Sequence, residues 1–202
     1  MAFTYFFRDR QTLELIRDLI VPKLRTRRYI HIWDAGCAMG PEPYSLAIML
    51  RENMGHMSFR NVSIHASDID DSNQFEGIIS RGEYHQEQLR SVPEPIMRRY
   101  FDETDAPGWF RVCPEVRKSV TFYRHDLLSL QPIRSNFSLI LCKNVLLHFK
   151  EHERVAVMEM FYSSLEDEGY FVTEQTQKLP SQLSHLFFPL FSNAQLFQKM
   201  AN

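Results

Sequence analysis

Apolar residues recur at helical spacing near the start of the chain, where Leu13, Ile16, Ile20 and Leu24 form a stripe that Leu15 and Leu19 widen. The pattern then changes. Tyr29 to Trp33 predicts a short strand ending at Asp34 and a Gly36/Gly40 turn, and Tyr44 to Leu50 reads as the buried side of a following helix. Val62 to Ser67 predicts a second strand ending in Asp68, after a polar loop over Arg51–Asn61. A helix is expected from near Asp71 to Arg81-Gly82. Later, Val120 to Tyr123 leads to His125-Asp126, and Leu139 to Cys142 leads to Lys143-Asn144. A helix over Glu151–Leu165 and a buried strand over Gly169–Thr173 follow, and the tail from Leu186 to Lys199 suits a hairpin turning at Ser192-Asn193.

Strand, glycine turn, helix, strand, acid, helix is the opening of a parallel α/β sheet. Residues 82–119 break the alternation with Pro93, Pro95, Pro107, Gly108 and Pro114. They read as an insertion carrying one helix near Ile96–Tyr100 and a small antiparallel ribbon. The expectation is one domain over 1–202 with that stretch as an inserted subdomain.

Composition narrows the class. With 202 residues, 44% of them hydrophobic, one domain can bury a sizeable core. A formal net charge of -2 carries no nucleic-acid signal. The apolar run Leu186–Phe191 is too short to span a bilayer, and the N-terminus lacks the order of a secretion signal. Cys37, Cys113 and Cys142 are odd in number and widely spaced, which argues against disulfides and a zinc site. A soluble cytoplasmic protein is the simplest expectation, with no metal.

Three candidate positions follow successive strands. Glycines in the turn Asp34–Gly40 let the backbone approach a ligand, but the middle glycine of a dinucleotide fingerprint is missing. Glu42 at the helix start would repel a phosphate and suit a cationic ligand. Asp68 ends the second strand, where an acid commonly grips ribose hydroxyls; Asp70 or Asp71 could equally cap the next helix. Asp126 could meet an adenine edge or cap a turn. All three sit where open α/β sheets bind ligands.

Thr4-Tyr5-Phe6-Phe7-Arg8, Ala35-Gly36-Cys37-Ala38-Met39-Gly40-Pro41-Glu42-Pro43-Tyr44-Ser45, Ala66-Ser67-Asp68-Ile69-Asp70 and Cys142-Lys143-Asn144-Val145-Leu146-Leu147-His148-Phe149 occur in that order. Together they resemble the CheR-type chemotaxis receptor glutamate methyltransferases over essentially the whole chain. The resemblance implies a Rossmann-like class I methyltransferase sheet with flanking helices and a small inserted β-subdomain, with S-adenosylmethionine as cofactor. It places Thr4, Arg8, Gly36, Glu42, Asp68, Asp126, Leu127 and Asn144 at that cofactor: Arg8 and Glu42 on its polar groups, Asp68 on its ribose, Asp126-Leu127 on its adenine side. It places Arg8, Lys143 and His148 at the reaction centre, and it implies a chemoreceptor cytoplasmic domain or a related protein as substrate.

Three departures stand out. The chain starts almost at the Thr4–Arg8 motif, where the family carries a helical domain, so a separate chain is a conceivable replacement. Pro41-Glu42 replaces a double glutamate, and Lys143 and His148 replace the family's arginine and tyrosine. A glutamate side chain, which ordinarily titrates near pH ~4.3, needs no base, only desolvation and aim. Lys143 would offer it a movable point charge where arginine binds bidentately. His148 either bonds substrate or faces solvent. Cys37 and Cys142 read as packing, Lys23–Arg28 as a solvated basic run, and Trp109-Phe110 as either a partner patch or packing. The alternatives to a receptor methyltransferase are a degenerate cofactor-binding regulator and an enzyme acting on another acceptor.

Overall fold

The N-terminal apolar stripe folds as a helix in three parts: α1 (Arg10–Leu15), a π-helical turn over Ile16–Ile20, and α2 (Val21–Leu24). These features come from a computed structural model that describes residues 4–191 and 194–201. Asp9 starts α1 by accepting hydrogen bonds from the Thr12 N–H (3.2 Å) and the Thr12 hydroxyl (2.7 Å). Ile16, Ile20 and Leu24 are fully buried. Leu19, expected to widen the stripe, is exposed, because the wider π turn rotates it off the buried face.

β1 (Ile30–Ala35) runs into the glycine turn, and α3 (Pro41–Phe59) begins immediately after Gly40 with Pro41 in its first position. The loop expected over 51–61 is helix as far as Phe59, interrupted only at Gly55. Its polar residues misled the pattern: Arg51 donates to Glu115 at 2.8 Å and Glu52 accepts from Tyr100 at 2.6 Å, while Met54 and Phe59 are buried. β2 (Val62–Asp68) is followed by α4 (Phe75–Arg81), which begins later than expected. Asp70 anchors its start, accepting from the Gln74 and Phe75 N–H groups at 3.1 and 3.0 Å.

The irregular stretch 82–119 holds β3 (Glu83–His85), α5 (Glu94–Tyr100), β4 (Phe101–Glu103), β5 (Trp109–Val112) and α6 (Pro114–Arg117). Its strands form an antiparallel sheet in the order β3-β5-β4. Phe110 packs against the main core, whereas Trp109 is exposed and meets the His85 ring edge-on.

β6 (Val120–Arg124), β7 (Phe137–Cys142), α7 (Glu151–Ser164), β8 (Leu165–Thr173), β9 (Phe187–Pro189) and β10 (Leu196–Lys199) complete the fold. The main sheet has seven strands in the order β6-β2-β1-β7-β8-β10-β9. The first five are parallel, and β10 is antiparallel to both its neighbours. The closing hairpin is thus present; its expected turn at Ser192-Asn193 lies outside the described residues.

Alternation along β1 divides the core. Ile30 and Ile32 pack with Phe6 and the α3 residues Leu46 and Ile48, while Trp33 packs with Phe137 and the α7 residue Phe161. β7, buried at every position, lies beside β1 in the middle. The chain builds outward from β1 to β2 and β6, then returns to β7 on the other side. The carboxyl ends of β1 and β7 therefore flank the switch point of the sheet, where open α/β folds bind ligands.

Candidate active site

A cavity of about 600 Å³ opens over the carboxyl ends of β1, β2, β6 and β7. Thr4, Arg8, Gly36, Glu42, Asp68, Asp126, Leu127, Lys143, Asn144 and His148 all line it. These ten residues are therefore in one place, although they span 145 positions between Thr4 and His148, counting both ends.

The turn after β1 is shaped by two backbone requirements. Gly36 has φ +98°, and a Cβ there would lie 2.1 Å from Val145 Cγ2. Its N–H and that of Cys37 donate to the Ser67 carbonyl at 2.7 and 3.0 Å, closing the turn against β2. Gly40, also expected to let backbone approach the ligand, serves packing instead. A Cβ there would lie 2.6 Å from the Tyr84 hydroxyl and 2.8 Å from Ile79, and the residue does not line the cavity.

Asp68 is held from both sides. Its carboxylate accepts from the Ala38 N–H at 2.9 Å and the Asp70 N–H at 3.3 Å. Those bonds leave it at the cavity wall, while Asp70 takes the helix-capping role that either acid could have filled. Asp126 both lines the cavity and caps the turn Leu127–Ser129, accepting from the Leu128 N–H at 2.9 Å. Capping that turn leaves it on the cavity wall.

The segment Thr4–Asp9 crosses the cavity edge as a strap. Phe6 is fully buried against Tyr84 and Phe101, the Phe7 N–H donates to Ser45 Oγ at 2.8 Å, and Ser91 Oγ donates to the Phe6 carbonyl at 2.5 Å. Arg8 is thereby aimed at Asn144, whose Oδ1 accepts from it at 3.4 Å.

Lys143 differs from the movable charge expected from the sequence. Its side chain is 5% exposed, with Nζ 3.2 Å from Asp9 Oδ2 and 3.8 Å from Glu42 Oε2. Burial raises the Asp9 carboxyl, but Lys143 and the Thr12 bonds outweigh burial and hold it below the usual range. Burial lifts Glu42 above the usual range; Lys143 and Arg8 counter this and Asp9 and Glu174 add to it. His148 is exposed at the cavity mouth, so it can meet substrate and solvent alike.

Two buried acids not proposed from the sequence as site residues lie behind the cavity without lining it. Glu174, just past β8, is 6% exposed and accepts from the Asn144 N–H and the Thr173 hydroxyl, both at 2.9 Å. Its Oε1 and both carboxylate oxygens of the fully buried Asp34 have no hydrogen-bond partner among the described residues. Ile69, Leu128, Leu147 and Phe149 supply an apolar wall. Sequence reading missed these because isolated apolar residues in loops carry no periodicity. Cys37 and Cys142 are buried and their thiols are pushed up first by burial and then by nearby acids, which fits packing.

Glu42 at the cavity floor faces Asp9 and Glu174 as well as Lys143 and Arg8, and Asp34 lies behind it facing Glu42 and Lys143, so acids outnumber cations here. Such a floor repels pyrophosphate and suits a ligand bearing an ammonium and a sulfonium. The glycine cradle, the anchored acid at the end of β2 and the apolar wall fit the rest of an adenosyl group.

The family model for the CheR methyltransferase SAM-binding domain matches residues 2–194. This chain belongs to that family. Its cofactor is accordingly S-adenosylmethionine. The chain is 33% identical over 189 residues to a chemotaxis protein methyltransferase 2 of Pseudomonas aeruginosa, covering 91% of this chain and 65% of that one. It is 33% identical over 166 residues to a chemotaxis protein methyltransferase of Listeria innocua, covering 81% of this chain and 60% of that one. It is also 27% identical over 191 residues to a probable chemotaxis protein methyltransferase of Rhizobium etli, covering 92% and 70%. The alignments to the Pseudomonas and Listeria proteins thus span less than two thirds of those relatives. No helix among the described residues is long and apolar enough to cross a membrane.

Proposed function

We propose that this CheR-family chain transfers the methyl group of S-adenosylmethionine to glutamate side chains of chemoreceptor cytoplasmic domains. The observation that carries this is the convergence of Arg8, Glu42, Asp68 and Asp126 on one cavity at the sheet's switch point, above an acid-rich floor. The cofactor, when bound, supplies an electrophilic methyl group on a positively charged sulfur.

The chain's own residues would do the rest. Asp68, fixed by Ala38 and Asp70, would accept from ribose hydroxyls. Leu127 and Asp126 would flank the adenine, and Glu42 and Arg8 would meet the charged amino-acid end. Thr4, Gly36 and Asn144 would shape the same pocket. The acceptor carboxylate is already ionised at neutral pH, so the protein's task is to exclude water from it and aim one oxygen. His148 stands at the mouth where that acceptor would arrive. Lys143 acts from below: by joining Asp9 to Glu42 it fastens the Thr4–Asp9 strap to the start of α3.

The same reading treats the chain as one domain in which residues 82–119 are inserted, acting in the cytoplasm where such receptor domains lie. A cofactor-binding regulator without turnover is the second reading, favoured by the burial of Lys143 in ion pairs rather than toward an acceptor.

Calorimetric titration with S-adenosylmethionine and S-adenosylhomocysteine, beside Asp68→Ala, tests the cofactor site. Micromolar binding lost by at least tenfold in the variant is expected; well-folded protein that binds neither would overturn the proposal. Incubation with labelled cofactor and receptor domains should then yield a base-labile methyl ester. Base-stable label would point to a different acceptor atom, and binding without transfer would favour the regulator.

A further inference from the structure

Asp34, the penultimate residue of β1, is fully buried, and neither carboxylate oxygen has a hydrogen-bond partner among the described residues. An anion without donors is costly in such surroundings, so the group either keeps a proton or needs a cation beside it. The groups facing it are Glu42 from α3, Lys143 from the end of β7 and Asp68 from the end of β2. The Cys37 and Cys142 thiols beside it are held neutral by burial. Glu42 in turn faces Lys143, Asp9, Arg8 and Glu174. Lys143 is already shared, closer to Asp9 than to Glu42. Burial and then Glu42 drive the Asp34 carboxyl well above its ordinary range, and burial moves Glu42 the same way. Neighbouring acids of this kind titrate as a unit.

We infer that Asp34 and Glu42 together hold one proton in the cofactor-free protein and release it to solvent when S-adenosylmethionine binds. Asp34 does not line the cavity, so it acts through Glu42 as a positioning residue. It lets the site carry an extra negative charge only when a positive ligand is there to meet it. The balance is simple: one proton leaves a carboxyl, no bond to the cofactor forms, and the incoming positive charge takes the proton's electrostatic place. Affinity then rises with pH until the free protein has itself lost the proton. S-adenosylhomocysteine, which lacks the sulfonium charge, releases less.

This inference rests on the cofactor reading, and one set of titrations separates the two. Binding of S-adenosylmethionine to the full chain is measured by calorimetry in buffers of different ionisation enthalpy, at several pH values from mildly acidic to mildly basic. The dependence of the observed heat on buffer enthalpy counts protons. Roughly half a proton or more released at the most responsive pH is expected for the wild type, and close to none for Asp34→Asn that still binds. Asp34→Ser serves as a smaller second variant, and the wild-type count decides by itself if neither folds. Zero release by wild type, or unchanged release in a variant that binds, overturns the inference while leaving the cofactor site intact. No binding at any pH would sink the cofactor reading and this one with it.

Discussion

The small three-stranded sheet and the floor of the cavity handle charge in opposite ways. In and around residues 82–119, acids and bases meet at the surface: Glu83 with Arg111, Glu52 with Arg99, Glu115 with Arg51 and His56. These residues keep access to water, so the pairs orient side chains and contribute little energy. Beneath the cavity, Asp34 and Glu174 are removed from water, and Glu42 keeps only the exposure that the cavity gives it, around one ammonium that Asp9 already engages. That arrangement works against folding. It persists in a place where a cationic ligand would repay the cost, and this difference separates decoration from a binding site.

The contrast can be broken most forcefully at its cation. Lys143→Met should cost about 3 kcal/mol in a urea titration, since it removes the ammonium that pairs with Asp9 and Glu42 and faces the buried Asp34. A loss below about 1 kcal/mol would mean that the acids are already neutral or well solvated. Gly36→Ala comes next. Its Cβ would collide with Val145 and sit at φ +98°, so a loss of about 2–3 kcal/mol and cofactor binding weakened by more than tenfold are expected from the same unfolding and calorimetric measurements.

Asp34→Asn sharpens the comparison with a smaller effect of opposite sign. Because the folded protein raises the Asp34 carboxyl, folding binds the proton more tightly than the unfolded chain does. That favourable contribution is present at acid pH, below the ordinary carboxylate range, and is lost as pH rises toward the raised value. The amide escapes the loss, so the variant should melt about 2–4 °C above wild type at mildly basic pH, with the gap closing on acidification. A gap that grew toward acid pH would contradict this. At the surface, Glu83→Gln should change stability by no more than about 0.5 kcal/mol despite breaking its pair with Arg111, as a thermal melt would show.

Strand and helix periodicity, with the acids that follow successive strands, determined the α/β sheet, the irregularity of 82–119 and the closing hairpin. They could do so because those signals are local: alternation, a glycine turn and a capping acid act within a few residues. Recognisable motifs also marked cavity-lining residues as far apart as Thr4, Asp68 and His148. Where local chemistry and tertiary partners disagreed, the sequence misled. The polar run after Leu50 is helix because Arg51 and Glu52 find partners in Glu115 and Tyr100. Gly40 is required by its own φ of +100° and by Tyr84 and Ile79, about forty positions away.

The charge balance of the site was decided by tertiary structure alone. Nothing in the neighbourhood of Asp34 along the chain says that it is sealed from water, nor that Glu174 turns its carboxylate to the Asn144 backbone. Lys143 looks like any exposed cation until β7 carries it between Asp9 and Glu42. Burial and electrostatics depend on distances between segments far apart in the chain, and only the folded arrangement of strap, sheet and helix sets those distances.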